Sequence, residues 1–162
     1  MPFNLLKVYN DLLELDHLNE LQRNDSLKGI FNRDIKDNPE FTFKEKKILP
    51  TSDDEIGVAI LFEHLTNKKA GKAKIYDSHR SKRLHWINFH LEERKPDKII
   101  AFSVIESKGT RTYIFDETEK YVIVLDCINK MTEYYLLTAH YLDDKNVKKI
   151  KNKISRCLSE VV

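Results

Sequence analysis

The sequence predicts an α+β fold. N-terminal helices come first, then an antiparallel, about four-stranded meander sheet packed on helices, then a C-terminal helix. Three observations carry this. Apolar residues recur at three- and four-residue spacing in the first part of the chain. Four short runs rich in β-branched and aromatic residues follow, at 98–105, 111–115, 120–127 and 133–139, with separators too short for crossover helices. Residues 143–161 then return to helical spacing.

The first helix is expected over 4–22, where Leu5, Leu6, Val8, Tyr9, Leu12, Leu13, Leu15, Leu18 and Leu21 make a broad apolar stripe. Residues 23–50 are polar and weakly periodic. They predict an irregular connector with one short helix around 27–31, so 1–50 is expected as an appendage to an α+β unit over 51–162. Ser52-Asp53-Asp54-Glu55 has the form of a capping box and opens a helix to about Thr66. That helix is apolar nearly all round from Ile56 to Phe62, which predicts burial on every side. Residues 68–74 are a basic turn around Gly71. A helix is expected over 77–94, with Leu84, Ile87 and Leu91 toward the core and Pro96 closing it. The last helix has acids at its start, and Val147, Ile150, Ile154, Leu158 and Val161 form its apolar stripe.

The chain has 162 residues and a net charge of +2, but the charge is uneven. Residues 1–67 sum to −5 and residues 68–162 to +7. Such asymmetry points to a polyanion-binding part. No apolar run has the length of a membrane span, and no signal peptide precedes the first helix. Cys127 and Cys157 fall in no metal or redox spacing, so the expected compartment is a reducing cytoplasm. No His pattern suggests a metal site, no glycine-rich phosphate loop occurs, and no cofactor is expected.

The oddest stretch begins at Asp77. Arg80, Lys82 and Arg83 follow the expected cap, Asp77 or Ser78, where a helix normally carries acids. Guanidinium groups beside free backbone N–H groups form a phosphate site, whereas the plain alternative is a solvated basic turn. His79, Arg83, Trp86 and His90 share a stripe at the edge of the core face, and His85 lies on the other side.

The helix Arg80-x-x-Arg83-Leu84-x-Trp86-Ile87 is followed by Thr112-Tyr113-Ile114, Tyr121-Val122-Ile123-Val124 and Tyr134-Tyr135-Leu136-Leu137-Thr138-Ala139-His140-Tyr141. This combination, over about 76–142, resembles the phage-associated branch of the barnase–EndoU–colicin–RelE-like (BECR) ribonucleases. The resemblance implies a metal-independent nuclease, used as a toxin or carried by a phage or mobile element. It implies basic or His residues drawn from a helix and hydroxyl, His or aromatic residues drawn from the sheet. Here His140 is inserted into a Thr-Ala-Tyr-like ending, so either His140 or Tyr141 fills the aromatic position.

The expected chemistry is attack of an RNA 2′-OH on the adjacent phosphate, giving a 2′,3′-cyclic phosphate. His79 and His140 are the expected base and acid, in either order, because an ordinary histidine titrates near neutrality. Arg80 and Arg83 would hold the phosphate and Thr138 would donate to it. In a regular strand Thr138 and His140 share a face, and Tyr141 joins them only if the strand breaks after Ala139. Lys82, His85, Trp86 and Arg111 are candidate RNA contacts, with Trp86 either stacking on a base or anchoring helix to sheet. RNA is the expected partner, with a cognate inhibitor or antitoxin protein if the chain is a toxin. The alternative is a non-catalytic nucleic-acid-binding or phage interaction protein that keeps the fold.

Overall fold

The computed structural model describes residues 2–50, 55–94 and 97–162. Most of the expected capping box and Pro96 fall outside the described residues.

The long first helix is not formed. α1 spans only Pro2–Leu5, and α2 runs from Glu20–Phe31, extended by a π turn over Asn32–Lys36. Between α1 and α2 the chain is irregular. Leu13 and Leu15 are both buried and flank an exposed Glu14, an alternation that belongs to extended chain. The Asn4 side chain holds this segment, accepting from the Glu14 N–H (2.9 Å) and donating to the Glu14 carbonyl (3.1 Å). α2 starts where Asn19 and Gln22 form a reciprocal capping box.

The segment expected as a connector also supplies two strands, β1 (Thr42–Phe43) and β2 (Lys46–Leu49). α3 (Glu55–Thr66) follows and buries one stripe, Gly57, Leu61 and Leu65, leaving Ile56 and Ile60 exposed. β3 (Asn67–Ala70) and β4 (Ala73–Tyr76) form a separate hairpin. The expected helix over 77–94 is broken into α4 (Ser78–Ser81) and α5 (Trp86–Leu91). The break has a visible cause: the Lys82 carbonyl accepts from the Leu13 N–H (3.0 Å) instead of from the next helical turn.

β5 (Ile99–Glu106), β6 (Gly109–Asp116), β7 (Tyr121–Ile128) and β8 (Glu133–Tyr141) are consecutive and antiparallel. β2 adds to β8 in parallel, with Ile48 opposite Tyr134. The sheet order is therefore β1-β2-β8-β7-β6-β5, six-stranded and mixed rather than a four-stranded meander. α6 (Asp144–Ile154) closes the helical structure. It stops short of 161 because the tail turns back along the sheet, where the Leu158 N–H donates to the Ser103 carbonyl (2.8 Å).

Alternation along the strands splits the core between the two faces of the sheet. Ile114, Ile123, Leu125, Tyr134 and Leu136 face the N-terminal helices, and Phe102, Val104, Phe115, Val122 and Val124 face α6. Leu13, Leu27, Ile30 and Phe43 belong to the first of these clusters, together with Trp86 and Leu136. Leu13, Leu15, Leu27, Ile30 and Phe43, from the stretch expected as an appendage, thus pack into the same core cluster as the sheet.

Candidate functional site

The candidate residues gather where α4 meets the end of β8. α4 is fixed to the end of α3: the Thr66 carbonyl accepts from the Asp77 N–H (2.9 Å) and from the buried Ser81 hydroxyl (2.9 Å). Asp77 caps α4, accepting from the Arg80 N–H at 3.1 Å. A four-residue helix has no useful dipole, and the Asp77 carboxylate already accepts from its Arg80 amide. The helix end itself therefore adds little for an anion, and the guanidinium groups are what it presents there.

Arg83 is the centre of one group. Its guanidinium lies over the Tyr141 ring at 4.6 Å and the Trp86 ring at 5.3 Å, and it donates to the His79 carbonyl at 2.7 Å. The exposed His79 ring stacks on Tyr141, with centroids 5.3 Å apart and planes 24° apart. Buried Arg83 Nε has no hydrogen-bond partner among the described residues. Arg80 is the centre of a second group. It donates to the His64 carbonyl (2.7 Å), lies 3.5 Å from the Asp77 carboxylate, and lines a cavity of about 330 Å³ with Thr138, His64, Lys68, Lys69 and Lys74.

A β-bulge decides which group each β8 residue joins. Leu125 opposes Leu136 but Val124 opposes Thr138, so Leu137 is the extra residue. Beyond it the faces exchange. Ala139 and Tyr141 continue on the helix side, opposite Ile123 and Tyr121, while Thr138 and His140 pair with Val124 and Val122 of the α6 side. Tyr141 therefore meets His79 and Arg83 without the strand break that regular alternation would require. Thr138 and His140 do share a face, with Oγ1 and Nδ1 3.4 Å apart. Burial, and then the positive charge of Arg80, push His140 down to about 4, so it is neutral at pH 7.

Of the four expected RNA contacts, Lys82, His85 and Arg111 lie outside both groups, and Trp86, though beside Arg83, is buried. Lys82 pairs with Asp16 at 2.7 Å. His85 and Trp86 are buried, at 5% and 1% exposure, so neither ring offers a face to a base. Trp86 is instead the anchor between helix and sheet, its Nε1 donating to the Asp11 carbonyl at 3.0 Å. Arg111 lies toward the other end of the sheet beside Glu106 (3.5 Å). The lysines of the β3–β4 hairpin were not among the expected contacts, although their run Lys68-Lys69-Ala70-Gly71-Lys72-Ala73-Lys74 marks them.

No family model matches the chain, and neither a curated protein nor a solved structure matches it. Among the described residues no helix is long and apolar enough to cross a membrane. Nor do three or more His, Cys, Asp or Glu side chains gather there as a metal-ion site.

Proposed function

We propose that the protein is a metal-independent endoribonuclease of the BECR-like kind, acting as a toxin effector or as a phage or mobile-element nuclease. One observation carries this reading: the His79 ring and the Arg83 guanidinium both lie against Tyr141, beside the short helix from which Arg80 enters the lysine-lined cavity. A guanidinium holds a phosphodiester in two-point contact, an exposed histidine moves a proton, and a phenol beside both donates a hydrogen bond. In this reading Arg83 holds the scissile phosphate and His79 serves as base or acid. Tyr141 donates to the phosphate or the leaving oxygen. Arg80, Thr138 and His140 take the neighbouring phosphate. The products are a 2′,3′-cyclic phosphate and a free 5′-hydroxyl. RNA is the substrate, and a toxin version requires an inhibitor protein.

The test is incubation of the purified chain with RNA in excess EDTA, followed by analysis of the ends. The expected result is cyclic-phosphate ends that vanish in His79→Ala and fall at least a hundredfold in Arg83→Ala, about 2.7 kcal/mol of transition-state stabilisation. Cleavage of equal rate in both variants refutes the assignment.

A second reading has its own support. Tyr141, on which His79 stacks, and His140 point to opposite faces of β8, an arrangement that supports separate roles for the two histidines over the single acid–base pair expected from the sequence. A nucleic-acid-binding module without cleavage needs only the arginines. Salt-dependent RNA binding with intact RNA ends favours it.

A further inference from the structure

The β3–β4 hairpin carries positive charge that the described residues balance only in part. Lys68, Lys69, Lys72 and Lys74 are exposed, and no acid lies between Asn67 and Tyr76. The register sets Lys69 directly opposite Lys74. Like charges facing each other across a strand pair destabilise it. Glu63 lies 3.7 Å from Lys74, and among the described residues Lys68, Lys69 and Lys72 make no ion pair. A two-stranded ribbon is marginal by itself, and such repulsion makes it more so. Its base is nevertheless firmly held. The Asp77 N–H after β4 donates to the Thr66 carbonyl before β3, and Asn67 donates to the Glu63 carbonyl and the Thr66 hydroxyl.

Lys68, Lys69 and Lys74 line the same cavity as Arg80 and Thr138, with Glu63 the one carboxylate among its lining residues. The half-buried His64 in this cavity is pushed down by burial and then by Lys74, Arg80 and Lys69, against the opposing pull of Glu63. From this placement we infer that the hairpin is an arm for single-stranded RNA. Lys69 and Lys74 bind backbone phosphates of the strand next to the phosphate that Arg80 receives. The inference rests on the proposed reading that the α4–β8 cleft takes a phosphodiester. A membrane surface is the poorer fit, since the tip is Ala70-Gly71-Lys72-Ala73 and carries no large apolar side chain to insert.

The test uses the full chain and a fluorescein-labelled single-stranded oligoribonucleotide carrying 2′-O-methyl groups, which cannot be cleaved by 2′-OH attack. Its dissociation constant is measured across a salt series for the parent, for Lys69→Gln/Lys74→Gln and for Lys108→Gln/Lys130→Gln. The last pair removes the same charge at turns on the other end of the sheet. Loss of two phosphate contacts lowers the log–log salt slope by about 1.4 in the hairpin variant. The control pair keeps the parent's slope. Without RNA the hairpin variant melts no lower than the parent, because repulsion has been removed. An unchanged slope in the hairpin variant, or an equal loss in the control, overturns the inference while the cleft reading stands. A parent chain that sediments with phosphatidylserine vesicles and leaves the oligonucleotide free overturns the inference and the cleft reading together. Binding with the predicted slopes, but no cleavage of unmodified RNA, supports the arm and removes the ribonuclease.

Discussion

Acidification should destabilise the protein through two histidines well before its carboxylates respond. His85 and His140 both titrate at about 4 in the folded chain, from an ordinary value of 6.5. For both, burial is the largest cause. The His85 ring lies against the Val8 and Asp11 backbone, but neither nitrogen makes a hydrogen bond of standard geometry. Between those two pH values the unfolded chain holds more protons than the folded one. Stability is therefore full above about pH 6.5 and falls as pH drops toward 4. Moving a titration midpoint by one pH unit corresponds to about 1.36 kcal/mol, so His85 contributes on the order of 3 kcal/mol, with less from the more accessible His140. A combined loss of about 3–5 kcal/mol is a large part of a typical domain's stability. Asp116, held down to about 2 despite its burial by hydrogen bonds from His90, Tyr9 and the Glu119 N–H, loses its contribution only at lower pH. Urea denaturation at pH 7, 6, 5 and 4.5 measures the slope. His85→Gln and His140→Gln should each flatten it, and Arg80→Gln should raise the His140 titration seen by NMR. A flat profile in the parent, or an undiminished slope in both glutamine variants, refutes the reasoning.

The packing sets three further outcomes. Asp116→Ala removes the acceptor shared by the half-buried Tyr9 hydroxyl and the buried His90 ring and should cost about 3–5 kcal/mol in urea denaturation. Trp86→Ala opens the core between α5 and the sheet and should cost about 3–5 kcal/mol, with loss of the indole fluorescence of this lone tryptophan. Gly71 has φ +65 with nothing near its Cβ position, so Gly71→Ala should cost roughly 1–2 kcal/mol. The loss should appear as faster amide exchange within the β3–β4 hairpin.

Local patterns were legible where the chain's own chemistry settles the outcome. The four long strands, the start of α6 behind Asp143 and the cap at Asp77 all rest on neighbours within a few residues. The N-terminal helix was not legible because its leucines fit a helical stripe and an extended alternation equally well. The tie between Asn4 and Glu14 favours the extended form. The signal for α2 is the Asn19–Gln22 capping box, a local pattern hidden inside a longer periodic run. β1 and β2 are too short to announce themselves, and β2 is completed by a partner 86 residues away, with Ile48 opposite Tyr134.

The candidate site divides in the same way. Chain order alone keeps Arg80, Arg83 and His79 together after Asp77, and strand alternation alone points Thr138 and His140 one way and Tyr141 the other. Which of these meets α4 was left to long-range packing. A single extra residue, Leu137, exchanges the faces of β8, turning Tyr141 toward Arg83 and His140 away. Alternation is a property of the backbone, but the face that counts as inside is set by what packs against it.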